Sequence, residues 1–239
     1  MKIYNEDCLS VLKTLPDNCV DMVLCDPPYG TTPQSWDSVI PFQDMWVELH
    51  RVTKDNGPIV LFGSEPFSTM LRASNIKNFK YDWIWVKNKG TGHLNAKKMP
   101  MKYHETISVF YKKPVSYYPQ ETDGHAPMNY ARNKQNNING RHGSVETNTG
   151  TTKRKPRSLL EFSVVNNDGS TDGGRFHPNQ KPVALLKYLI ETYTLPGEVV
   201  MDFTMGSGST GVACKELNRE FIGMETDPGF FNSAIERLR

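Results

Sequence analysis

The chain has no CxxC pair. Its four cysteines, Cys8, Cys19, Cys25 and Cys214, are scattered, which excludes a disulfide framework and a zinc pattern and leaves reduced, mostly buried side chains. No apolar run approaches the ~18 residues of a membrane helix. The N-terminal MKIYNEDCLSVLK lacks the long apolar stretch and cleavage site of a secretory signal. A cytoplasmic protein without membrane attachment is therefore expected. Charge of one sign is also scarce: 28 Lys and Arg against 26 Asp and Glu leave a net charge of +2. A globally basic nucleic-acid binder is excluded, and any basic surface must be local. The six histidines show no metal-ligand spacing, so no metal is expected; His104 and His177 read as strand-end and turn residues.

At 239 residues the chain has room for one α/β domain with an insertion. Short strands at 2–4, 20–25, 58–62, 79–86, 106–111, 199–203 and 220–224 are β-branched, aromatic or continuously apolar. Between them lie helical faces: Cys8, Val11, Leu12 and Leu15; Phe42, Met45, Trp46 and Leu49; Leu186, Leu189, Ile190 and Tyr193; Phe231, Ala234, Ile235 and Leu238. A further helix is expected at 210–217, and another after Ser64, with Ser64 as N-cap and Pro66 in its first turn. Alternation of this kind predicts an α/β, doubly wound, mixed seven-stranded sheet. Residues 114–176, dense in Asn, Gly, Thr and Ser, lack periodicity and read as an insertion. The domains expected are 1–113 with 177–239, and 114–176.

The strand at 199–203 runs into TMGSGSTG, where Gly206, Gly208 and Gly211 fit G-x-G-x-x-G before a helix. The lysine of a triphosphate loop is missing, since Val212 follows the last glycine. Glycines let backbone approach a ligand, and the helix N-terminus offers amide hydrogens. Glu225 ends the next strand, 19 residues after Gly206, where an acid can accept both ribose hydroxyls of an adenosine. A nicotinamide dinucleotide and S-adenosylmethionine both fit; a tight turn without ligand is the plainer alternative.

The strand VDMVLC ends in DPPYG. A carboxylate accepts hydrogen bonds, and a Pro-Pro unit donates none and holds its segment extended. Asp26 and the carbonyl of Pro27 form two neighbouring acceptors, which match an NH2 group. Tyr29 adds a flat face for a planar ring, so the four residues Asp26, Pro27, Pro28 and Tyr29 suit the exocyclic amine of adenine or cytosine. The plainer alternative is an ordinary turn after a strand, but strand C-terminal ends are where open α/β sheets bind ligands.

DPPY at 26–29 followed later by the glycine turn at 203–211 resembles the amino-group DNA methyltransferases, in the motif order of their circularly permuted β group. HPNQKP (177–182), FIGME (221–225), NEDCLSVL (5–12) and HETISVFYKKP (104–114) extend the likeness over most of 1–113 and 177–239. The resemblance implies the S-adenosylmethionine-dependent methyltransferase fold with a target-recognition insertion, and Met1 and Arg239 close in space. It implies S-adenosylmethionine held by Asp202, Phe203, Gly206, Ser207, Gly208, Ser209 and Thr210, with Gln180 and Lys181 near its methionine end, Glu225 on the ribose, and Asp7 and Cys8 near the adenine. It implies catalysis by Asp26 to Tyr29 on a base flipped out of double-stranded DNA, adenine N6 being favoured because an acid at position 26 is commoner in adenine enzymes of the family and serine in cytosine-N4 enzymes.

Lys87, Lys89, Lys97, Lys98 and Lys102 form one basic stretch, and Lys153, Arg154, Lys155 and Arg157 another. Either can meet phosphates, with Arg141 or Arg175 at a base edge; ordinary solvated charge is the plainer reading. Residues 31–36 follow DPPYG as a candidate flap, with Trp36 as core or base contact. A homodimer and a cognate restriction endonuclease are compatible partners. A nicotinamide-dependent oxidoreductase leaves DPPY unexplained, and a DNA-binding protein without activity gives Asp26 no chemical role.

Overall fold

The structure, a computed structural model, describes residues 1–34, 37–127 and 150–239. Trp36 and Arg141 lie outside the described residues. The chain divides into two compact units, Met1–Tyr118 with Ser158–Arg239, and Pro119–Arg157.

In the larger unit the elements run β1 (Lys2–Tyr4), α1 (Cys8–Thr14), β2 (Met22–Cys25), α2 (Phe42–Val52), β3 (Ile59–Gly63), α3 (Phe67–Ser74), β4 (Phe79–Thr91) and β5 (Lys102–Phe110). They continue with β6 (Leu159–Glu161), α4 (Val183–Tyr193), β7 (Val199–Asp202), α5 (Ser209–Glu216), β8 (Glu220–Met224) and α6 (Pro228–Leu238). All eight strands join one sheet in the order β1-β8-β7-β2-β3-β5-β4-β6. The pairs from β1 to β3 are parallel, β3–β5 and β5–β4 are antiparallel, and β6 runs parallel to β4. The count is therefore eight strands where seven were expected. The extra one, β6, is three residues long and sits in the stretch read as insertion, where Leu159 to Glu161 are too few to show a period. Residues 158–176 accordingly fold with the larger unit.

The pleat sends alternate residues to opposite faces. Val23, Cys25, Ile59 and Leu61 pack with the buried faces of α1 and α2. Met22, Leu24, Val60 and Phe62 pack with α4 and α5. Strands covered on both sides must be apolar throughout, which is why β2 and β3 read as continuous runs rather than alternating ones.

Local chemistry sets the helix starts. Asp7 caps α1 by accepting from Ser10 N at 3.0 Å, and Asp227 caps α6 by accepting from Gly229 N at 2.8 Å, with Pro228 following. The expected cap at Ser64 is not formed. Its hydroxyl accepts from Lys102 Nζ at 2.5 Å, and Glu65 takes the Thr69 amide at 3.1 Å instead. The third glycine of the turn has a packing role: a Cβ at Gly211 would stand 2.8 Å from Leu238 Cδ2 and 2.9 Å from Phe221 Cε1, so only a hydrogen lets α5 lie this close to β8 and α6. Both termini are held by the segment from α5 to β8: Met1 N donates to Glu220 at 2.7 Å and Lys215 Nζ to the Arg239 carbonyl at 2.8 Å. Among the described residues no helix is long and apolar enough to cross a membrane.

In the smaller unit, Thr122 and Arg154 form an antiparallel bridge. The Arg154 guanidinium turns onto the carbonyls of Thr151, Lys153 and Ala126, and Lys155 pairs with Glu121. Two of the four cations in the second basic cluster are thus engaged within their own unit, while Lys153 and Arg157 are exposed.

Gly211→Val is expected to lower stability by ~1–3 kcal/mol through overpacking, read as a reduced urea midpoint at unchanged m-value.

Candidate active site

A cleft of about 960 Å³ opens at the C-terminal ends of the parallel strands. Because β2 and β7 are paired neighbours, the segments that leave them, DPPY and the glycine turn, emerge side by side. Thr204 ties them together: its Oγ1 donates to the Asp26 carbonyl at 3.1 Å and lies 3.0 Å from Cys25 Sγ. Asp26, Pro27, Pro28 and Tyr29 line the same cleft as Asp7, Cys8, Gln180, Lys181, Asp202, Phe203, Gly206, Ser207, Ser209, Thr210 and Glu225. Of the residues assigned to catalysis or cofactor, Gly208 alone does not line it: it faces Ala234 of α6 at φ +76° and turns the chain into α5.

The acceptor loop is shaped by a residue sequence reading missed. Asp37 Oδ1 accepts from the amides of Tyr29 (2.8 Å) and Gly30 (2.9 Å), and Oδ2 from those of Thr31 (2.9 Å) and Thr32 (2.7 Å). Burial opposes the Asp37 charge, but the hydrogen bonds from Thr32, Gly30 and Thr31 outweigh it and hold the carboxyl below its ordinary range. An acid shortly after a Gly-Thr-Thr loop is the only sequence signal it leaves. Tyr29 stacks one face on Phe67 at 4.9 Å and donates its hydroxyl to Asp26 Oδ1 at 2.5 Å.

Lys181, assigned in sequence to the cofactor's methionine end, lines the cleft and sits on Asp26 Oδ2, 3.4 Å from Glu105 Oε2. Lys87 is not a surface cation either. Its side chain is 4% exposed and its ammonium lies 3.0 Å from Glu105 Oε1, so it is withdrawn from any phosphate. In sequence Lys87 fell just past the strand expected at 79–86, whereas β4 continues to Thr91 and Lys87 is buried on it. Burial pushes the Asp26 carboxyl up, against the pull of Lys181. Burial likewise opposes the Lys181 charge, but Asp26 and Glu105 hold its pKa above the usual value. Glu105 is held below its usual value, Lys181 and Lys87 outweighing burial.

The other half of the cleft is built on the glycine turn. Gly206, at φ +53°, has only the His177 ring nearby, 3.7 Å from where a Cβ would stand. Its amide donates to Glu225 Oε2 at 3.0 Å, while Asp227 N donates to Oε1 at 2.8 Å. Burial raises the Glu225 carboxyl. Arg237 of α6, also unforeseen, braces the turn from behind by donating to the Ser207 carbonyl (2.7 Å) and to Ser209 Oγ (3.0 Å). Asp202 is buried, accepts from Thr210 Oγ1 at 2.6 Å, and is pushed up to about 6 by burial. His177, at the wall beside Phe230, is pushed down to about 4 by burial and is neutral near pH 7. Gln180 accepts from Phe176 N at 2.8 Å, and Arg175 bonds to the carbonyls of His177 and Pro178. Lys97 and Lys98 are exposed beyond β4 and do not line the cleft; of the lysines that do, Lys89 donates to Asn166 at 2.7 Å and Lys102 is held by Ser64. Among the described residues no group of three or more His, Cys, Asp and Glu side chains is placed to hold a metal.

An open α/β sheet with a glycine turn and the DPPY segment at adjoining strand ends has its cleft where sheets of this class bind their ligands. The profile of the N6/N4-type DNA methylases matches residues 20–236, nearly the whole chain. The Type II methyltransferase M.HpaI of Haemophilus parainfluenzae is 28% identical over 250 residues, covering 99% of this chain and 74% of that protein. Among solved structures, the M1.HpyAVI complex with S-adenosylmethionine superposes with a TM-score of 0.66 at 25% identity, covering 100% of this chain and 98% of that one. The cytosine-N4-specific PvuII DNA methyltransferase shares the fold at a TM-score of 0.68 and 17% identity, over 99% of this chain and 86% of that one. The chain belongs to the N6/N4 DNA methylase family, and it is a DNA methyltransferase.

Two outcomes follow. Asp37→Asn leaves an NH2 group facing two amide donors, and is expected to lower stability by ~2 kcal/mol and methylation at least about tenfold, with cofactor affinity by calorimetry unchanged. Asp202 is protonated more readily folded than unfolded, so its contribution to stability is lost as pH rises through about 6. Relative to Asp202→Asn, the wild-type apoprotein should lose on the order of 3 kcal/mol between pH 4 and pH 7, measured by denaturant titration at each pH.

Proposed function

We propose that the protein methylates adenine N6 in double-stranded DNA, taking the target base out of the helix. The observation that carries this reading is the carboxylate of Asp26 lining one cleft with the glycine turn and Glu225. The cleft lining supports S-adenosylmethionine as the ligand: the glycine turn for its methionine end, Glu225 for the ribose through the lone pairs left by its two amide partners, and Asp7 and Cys8 for the adenine. Bound there, S-adenosylmethionine supplies an electrophilic sulfonium carbon.

The chain's residues must improve and orient the attacking amine. Asp26 and the Pro27 carbonyl accept its two hydrogens, which draws the nitrogen toward tetrahedral geometry and frees its lone pair. The acceptors gain strength as positive charge develops on nitrogen, so the interaction favours the transition state over the ground state. As the N–C bond forms and the S–C bond breaks, the amine becomes acidic and its proton leaves by way of Asp26 or water. Tyr29 stacks on the extruded base, an interaction worth roughly 1–3 kcal/mol and comparable to the cost of unstacking. Lys89 and Lys102 of the cleft lining, with the exposed Lys97 and Lys98, meet the phosphates, and Arg175 meets a base edge. The smaller unit, with Lys153 and Arg157, reads the target. The carboxylate at position 26 supports adenine over cytosine N4, and the Type II description of M.HpaI supports a modification role beside a cognate endonuclease.

Asp26→Ala is expected to reduce methyl transfer at least about 10³-fold while cofactor affinity stays within about threefold. Nucleoside mass spectrometry of treated DNA should show N6-methyladenine; N4-methylcytosine in its place would overturn the choice of base.

A further inference from the structure

Four charges alternate along one line in the cleft floor: Lys87, Glu105, Lys181 and Asp26. Lys87 Nζ lies 3.0 Å from Glu105 Oε1, and Lys181 Nζ lies 3.4 Å from Glu105 Oε2 while resting on Asp26 Oδ2. The lysine side chains are 4% and 8% exposed, and Glu105 is 16% exposed, so solvent screens them little. Each oxygen of Asp26 already has a donor from its own chain, Tyr29 on Oδ1 and the Lys181 ammonium on Oδ2. A carboxylate bound on both oxygens is a weakened acceptor for a substrate amine.

One atom in this line is unsatisfied. Glu105 Oε2 is buried and accepts no hydrogen bond among the described residues. Buried carboxylate oxygens without a donor are costly and rarely retained without reason. The Lys181 ammonium reaches Oε2 by a small shift, exchanging its bond to Asp26 for one to Glu105.

We propose that Glu105 is a positioning residue for methyl transfer, offering Lys181 a second seat so that the ammonium leaves Asp26 Oδ2 when the substrate amine arrives. The proposal rests on the reading of Asp26 as the amine's acceptor. With Lys181 on Asp26 the pair is closed and charge-compensated. With Lys181 on Glu105, Asp26 presents a free oxygen, and the ammonium remains near enough to keep the carboxylate ionised. Lys87 balances Glu105, so the floor stays neutral in both arrangements.

The test uses the full-length protein, tritium transfer from S-adenosylmethionine to DNA of mixed sequence, and thermal denaturation. Wild-type transfer is measured first, and its absence would remove the underlying reading rather than this one. Glu105→Gln leaves Lys181 only one charged seat. It should lower kcat by on the order of 10²-fold, with the KM for S-adenosylmethionine within about twofold. It also strands the buried Lys87 charge, so Tm should fall. Lys87→Met combined with Glu105→Gln removes that stranded charge. Tm should recover in the double variant while kcat stays low. If kcat recovers with Tm, Glu105 is merely structural and the proposal fails; it fails also if Glu105→Gln alone keeps wild-type kcat.

Discussion

Parallel pairing of β2 with β7, in the register Met22 to Val200 and Val23 to Met201, is the constraint on which the cleft depends. Two strands about 4.8 Å apart must deliver their following loops to neighbouring positions at the same edge of the sheet. The 175 residues that lie between Asp26 and Asp202 in the chain therefore count for nothing in space. Thr204 then closes the remaining gap with one hydrogen bond to the Asp26 carbonyl. A slip of one residue in that register would turn every apolar side chain of β2 to the wrong face, so the core that covers the sheet also enforces the geometry of the site.

Burial does the electrostatic work. Asp26, Glu105, Lys181 and Lys87 are removed from water on a sheet chosen for apolar packing, and each is tolerable there only because the others are present. Asp37 uses a different device, four backbone amides on one carboxylate, which fixes the loop after DPPY without a cation. The glycine turn is braced from outside the cleft by Arg237, leaving its inner surface to line the cleft. Acceptor, turn and brace come from β2, β7 and α6, and no one of them is a site alone.

Much of the architecture was legible because it rests on short-range patterns. Continuous apolar runs at 20–25, 58–62 and 199–203 mark strands buried on both faces, and the Cys8, Val11, Leu12 and Leu15 spacing marks α1. The turn with Glu225 was legible because its glycines and acid are close in sequence. What escaped was whatever depends on partners far along the chain. Lys87 looked like a phosphate-facing cation, and Lys181 like a cofactor contact alone, because nothing adjacent reveals that each meets Glu105. Ser64 looked like a cap because its competitor, Lys102, belongs to a strand 38 residues on.

By itself the sequence determined the succession of strands and helices, the glycine turn into α5 and the acceptor motif at the end of β2, since each follows from neighbouring residues and their allowed backbone conformations. Only the tertiary structure decided the sheet order, the eighth strand, the sharing of Lys181 between two carboxylates and the folding of Asp37 back onto the loop before it. Those depend on which groups are brought together out of water, where a charge finds its partner by proximity in space and the chain's own order carries no record of it.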